Sequence, residues 1–239
     1  MPDAQSQPDR DRVQCQTTRR FLTAVDGLVE CSWCERREIY RRLEPRDEAW
    51  LYVQTAISRC REEFAIPDDG QPTEIWLGDH PEKVYEAALG QHNLYLARDS
   101  DRWQQMYSGA HEAFHRVCSS QTNQSDWADE MFAVLYSLAF LDWLQETSHA
   151  AANRSHLVEQ AMRCSLEQFL AIGSEPNPDG TYGRAYLVGM QLIGAVGWDR
   201  LRPLALMRRP DGTCDVETWL EFLGQRDAEV VAPIIGLAG

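Results

Sequence analysis

Strand-forming sequence ends at Ala97. The last β-prone runs are Glu74 to Leu77 (EIWL) and Asn93 to Ala97 (NLYLA), bracketed by Gly78, Asp79, Gly90 and Asp99. Every later segment carries helical rather than alternating periodicity. Helices are expected over Ser100 to Cys118, Ser125 to Glu146, Ala151 to Ile172, Tyr182 to Val196, Trp198 to Met207 and Val216 to Gly224. The Pro- and Gly-containing segment Gly173 to Gly180 (GSEPNPDG) serves as a turn between helices. The chain therefore reads as α+β and predominantly helical, with a small N-terminal β-sheet and a helical C-terminal half.

Upstream, residues 1 to 14 form a charged tail, and helical stretches over Thr17 to Leu43 and Pro45 to Phe64 make a helical N-terminal module spanning 15 to 68. Ile66 to Thr73 (IPDDGQPT) concentrates Pro, Gly and Asp, which sets the boundary to a single domain over 69 to 239.

A net charge of -14 excludes nucleic acid and an anionic membrane surface as main partners, because both require an excess of Lys and Arg. A peptide or a basic protein segment is the substrate class this charge suits. The N-terminus lacks the apolar core of a secretory signal, and no window of about eighteen uncharged apolar residues follows. The seven cysteines are odd in number and scattered, which fits reduced thiols in the cytoplasm.

Chemistry concentrates at His111-Glu112-Ala113-Phe114-His115. Trp103, Tyr107, Ala110, Phe114 and Cys118 form an inward helical stripe, and both histidines sit beside it. A spacing of four places the imidazoles one turn apart, so that both converge on one tetrahedral Zn2+, with Glu112 on the side where water would stand as its base. A chance HExxH is the alternative, and a third ligand decides between them. Glu130, within WADEMFA, lies on the face marked by Trp127, Met131, Val134, Leu138 and Leu141. A buried carboxylate needs a partner, and a cation held by the two histidines supplies one; the alternative is a first-turn glutamate favoured by the helix N-terminus.

HEAFH followed by WADEMFA resembles the gluzincin group of zinc metallopeptidases, in the aminopeptidase-like, peptidase MA-like superfamily. The fourteen residues between His115 and Glu130 make a shorter connection than in its thermolysin or aminopeptidase branches. Residues 116 to 121 lack the Gly and third His of a metzincin. The resemblance implies a zincin-like domain and peptide-bond hydrolysis by a zinc-activated water. Tyr182-Gly183-Arg184-Ala185-Tyr186, running on to Gly197-Trp198-Asp199-Arg200-Leu201, is similar to the helix of aminopeptidase-like gluzincins that opens on an oxyanion-stabilising tyrosine. Tyr182 takes that place, with a helix-capping or core tyrosine as the alternative. In a zincin, Asn93 to Ala97 would be the edge strand that pairs with an extended peptide. No Gly-rich motif for a free amino terminus precedes His111, which favours an endopeptidase over an exopeptidase.

Other features are blander. Cys31-Ser32-Trp33-Cys34 is a CxxC that reads as free thiols before a second zinc site or redox pair. His149 and His156 read as surface residues before auxiliary proton donors, and Arg36, Arg37, Arg41 and Arg42 as a solvated helix face. The rival to a peptidase is a non-catalytic helical interaction protein with a structural or vestigial metal site, acting through its acidic surface.

Overall fold

A computed structural model describes residues 12–14, 21–23, 28–31, 36–39, 41–78, 83–88, 91–97, 100–118, 126–172 and 178–237. Five short strands come first: β1 (Arg12–Gln14), β2 (Phe21–Thr23), β3 (Leu28–Cys31), β4 (Arg36–Ile39) and β5 (Arg41–Arg42). β1 pairs antiparallel with β2, and β3 with β4. The helix expected over Thr17 to Leu43 is thereby corrected to strands. Its strands β2 to β4 are only three or four residues long, too short for periodicity to separate helix from strand, and Phe21, Val29 and Ile39 are residue types that favour the pleated state. Arg12–Gln14, expected in the tail, is likewise a strand; residues 1–11 lie outside the described residues. The basic run lies on β4 and β5 rather than on a helix, with Arg41 3.1 Å from Asp47 and Arg42 3.4 Å from Glu74. Cys34 and the side chain of Cys31 lie outside the described residues.

The remainder of the expected N-terminal module is a helix, α1 (Glu48–Phe64). β6 (Thr73–Gly78), β7 (Lys83–Ala88) and β8 (Gln91–Ala97) follow and build a four-stranded sheet in the order β5-β6-β8-β7. β8 runs parallel to β6 and antiparallel to β7. The edge-strand expectation for Asn93 to Ala97 is therefore corrected: β8 lies inside the sheet, and Asn93 to Tyr95 are paired on both sides. Leu94, Tyr95 and Leu96 are consecutively buried, as a central strand covered on both faces requires.

Contacts divide the chain into two units, Met1–Leu51 with Asp69–Gln105, and Tyr52–Asp68 with Met106–Gly239. Most of α1 thus groups with the C-terminal helices. In that second unit the chain continues through α2 (Arg102–Cys118), which starts in the first unit, then α3 (Trp127–Trp143), α4 (Thr147–Ala161) and α5 (Leu166–Leu170). It ends with α6 (Thr181–Val196), α7 (Trp198–Leu201), a 3-10 turn over Arg202–Leu206, α8 (Val216–Leu223) and α9 (Gln225–Val231). The fold is α+β and mainly helical, and no helix among the described residues is long and apolar enough to cross a membrane.

α3 is mostly buried, at 13 of its 17 residues, and its exposed positions, Ala139, Asp142 and Trp143, lie in its last turns. Phe114 of α2 stacks on Phe132 of α3 at 5.9 Å, and Phe64 of α1 meets both edge-on at 5.4 and 6.2 Å. The single helix expected over Ala151 to Ile172 is two. The Ser165 hydroxyl accepts from Gln168 N and the Gln168 Oε1 accepts from Ser165 N, a capping box that starts α5 afresh.

Candidate metal centre

α2 begins at Asp101, whose carboxylate accepts a hydrogen bond from Gln104 N at 2.8 Å. Along the helix Tyr107, Ala110, Phe114 and Cys118 are buried as the stripe requires, while Trp103 is half-buried. His111 and Glu112 are buried beside that stripe, and His115 is half-buried. α3 is capped by Asp126, whose carboxylate accepts from the Ala128 and Asp129 amides at 2.9 Å each, while the Asp129 carboxylate accepts from Asp126 N. That cap puts Glu130 in the first helical turn, where the backbone dipole favours an anion, and leaves it only 5 % exposed.

The three side chains meet. His111 Nε2 lies 3.2 Å from His115 Nε2, and Glu130 Oε2 lies 3.2 Å from the first and 3.8 Å from the second. Nitrogen and oxygen ligands on a tetrahedral zinc are separated by about 3.3 Å, so these spacings are close to the edges of one coordination face. Glu130 Oε2 is buried and has no hydrogen-bond partner among the described residues. An orphaned buried acceptor facing two imidazoles fits a cation bound by all three groups, and this donor set suits zinc.

Burial alone would raise the Glu130 carboxyl, but the charge of His115 and the contacts of both imidazoles hold it well below the usual carboxylate range. Burial alone would lower His115; the charge and contact of Glu130, with Glu112 and Asp129 behind it, instead raise it to about 9. Carboxylates thus dominate the titration of His115.

The ring of Tyr182 stands edge-on to His111 at 5.2 Å and is half exposed, so the structure places it beside the histidines. Two glycines seat the helix that carries it. Gly180 opens α6 at φ 86°, and a Cβ on Gly183 would fall 2.3 Å from Leu157 O. Arg184 continues the contact, donating to the Cys164 and Ala161 carbonyls at 2.8 and 3.0 Å. His149 is half-buried and His156 is exposed, bonded to Gln160; neither belongs to the cluster.

Two neighbours of the site have no role assigned from sequence. Tyr107, one turn before His111, is buried, and its hydroxyl has no hydrogen-bond partner among the described residues. Burial and the Glu130 charge both push its phenol up, so it stays protonated. Its place on the stripe is legible, but nothing in the sequence sets its hydroxyl apart. Arg208 donates to Asp129 Oδ1 at 2.6 Å and to the Cys118 carbonyl at 2.9 Å. Asp126, Asp129 and Cys214 also lie within metal-ligating reach of one another. There the Arg208 guanidinium already neutralises Asp129, and the Cys214 amide donates to Asp126, so those donors are committed within the protein.

In comparisons with known proteins, no protein family, no curated protein and no solved structure matches this chain.

Proposed function

We propose that this chain is a zinc-dependent hydrolase of peptide bonds, in which His111, His115 and Glu130 hold the metal and Glu112 is the general base. One observation carries the reading: a buried carboxylate oxygen of Glu130, free of hydrogen bonds, faces two imidazole nitrogens at 3.2 and 3.8 Å. Zinc supplies Lewis acidity at such a centre and brings the pKa of water toward neutrality. Glu112, buried next to His111, takes the proton from the attacking water and passes it to the leaving amine. Tyr182 donates a hydrogen bond to the developing oxyanion from its place against His111.

The charge of -14 supports a peptide or basic protein segment as substrate, and the lack of an amino-terminus motif before His111 supports internal cleavage. The odd number and scatter of the seven cysteines support a reducing, cytoplasmic compartment.

The test is elemental analysis of the purified protein, followed by digestion of a peptide library with Glu112→Gln as control. Stoichiometric zinc and cleavage that disappears in Glu112→Gln are the expected results. Failure to take up zinc, or equal cleavage by Glu112→Gln, would sink the proposal. Zinc without cleavage would favour an interaction protein with a structural metal site.

A further inference from the structure

A cavity of about 430 Å³ lies between the second half of α3 and α6, with Arg59 and Glu63 of α1, Arg154 of α4 and Trp198 of α7 completing its wall. None of His111, His115 and Glu130 lines it. Its volume falls within the range of small-molecule sites, roughly 300 to 1,000 Å³. The wall is aromatic: Tyr136, Phe140 and Trp143 stack in sequence along α3 with centroids 6.3 and 5.8 Å apart, opposite Tyr186 and Met190 of α6. Trp143 and Met190 remain 48 % and 45 % exposed, so two large apolar side chains of this wall face water.

The charged groups around this cavity decide what it takes. Arg59 pairs with Glu62 at 2.5 Å and lies over the Trp143 ring at 5.0 Å, and Arg154 pairs with Asp142. Glu63 accepts from Trp198 Nε1 at 2.7 Å and faces Arg202 at 3.7 Å. The Tyr136 hydroxyl donates to the Ala56 carbonyl at 2.5 Å. Each charged group on the wall is answered within the protein, and the four together sum to zero. A charged ligand would have to compete with an existing pair, whereas an uncharged apolar one can lie against the ring faces and aliphatic carbon of the wall and leave those pairs intact.

We propose that this cavity is a binding site for a neutral, ring-containing apolar small molecule, separate from the candidate metal centre. Titration with the fluorophore N-phenyl-1-naphthylamine tests it, alongside 1-anilinonaphthalene-8-sulfonate, which has a comparable aryl skeleton and a negative charge. Saturable binding of the neutral probe is expected, with the sulfonate at least about tenfold weaker. Ala139 is exposed on the α3 wall and Met190 half-exposed on the α6 wall, so Ala139→Trp and Met190→Trp each fill the space from opposite sides. Each should weaken the neutral probe at least about tenfold with an unchanged circular-dichroism spectrum. Glu130→Ala should leave binding unaltered, which separates this site from the metal centre. Absence of saturable binding, equal affinity for the sulfonate, indifference to both filling variants, or loss in Glu130→Ala would overturn the proposal.

Discussion

The guanidinium of Arg208 stands 2.6 Å from the carboxylate of Asp129, whose side chain is 1 % exposed. The same Nη2 donates to the Cys118 carbonyl, so one cation ties the end of the helix bearing His111 and His115 to the start of the helix bearing Glu130. Removing it would leave Asp129 buried without its guanidinium partner. Arg208→Met should cost about 3–5 kcal/mol in urea denaturation. Adding Asp129→Leu to that variant should recover a large part of the loss, and strict additivity of the two changes would show that the pair is not coupled.

Zinc requires a neutral imidazole, whereas metal-free His115 is raised from an ordinary 6.5 to about 9. A raised pKa stabilises the fold fully below the unfolded value and loses that contribution as pH climbs from 6.5 through about 9. EDTA-treated protein should accordingly lose stability between those limits, by on the order of 3 kcal/mol. Zinc affinity should rise over the same window. Glu130→Gln removes the principal cause of the shift, so its urea midpoint should be nearly flat there; an undiminished slope in Glu130→Gln would assign the effect to another group.

Tyr182 tests the oxyanion assignment apart from metal binding. Tyr182→Phe keeps the ring against His111 and deletes the donor, so zinc content should be unchanged while kcat falls about a hundredfold. Wild-type turnover in Tyr182→Phe would leave the phenol with a packing role alone.

Gly183 sets how closely α6 approaches α4. A methyl group there would stand 2.3 Å from Leu157 O and 2.4 Å from Ala161 N, both backbone atoms that do not swing aside. Gly183→Ala should destabilise by about 1–3 kcal/mol in thermal or urea unfolding. Because Tyr182 is its neighbour, turnover should fall further than the stability loss explains, which activity measured well below the midpoint will register.

Much of the site is legible in sequence because its ligands sit on long helices with strong periodicity. Phe114 and Met131 mark buried stripes from which the positions of His111, His115 and Glu130 follow by helical geometry. Leu28–Cys31 and Arg36–Ile39 are not legible in the same way: four-residue runs take their identity from a partner strand. The break before α5 is written locally in Ser165 and Gln168, a signal that a run of helix-forming residues masks. The bond between Arg208 and Asp129 spans 79 positions and leaves no periodic trace at either end.

The burial of α3 has a consequence for exchange kinetics. Backbone amides on a helix with 13 of 17 residues buried are released to solvent chiefly by global opening, and Glu130 belongs to that helix. A metal held there would be coupled to the opening of that helix. Its spontaneous loss should therefore track deuterium uptake at the centre of α3 rather than the motion of any surface loop.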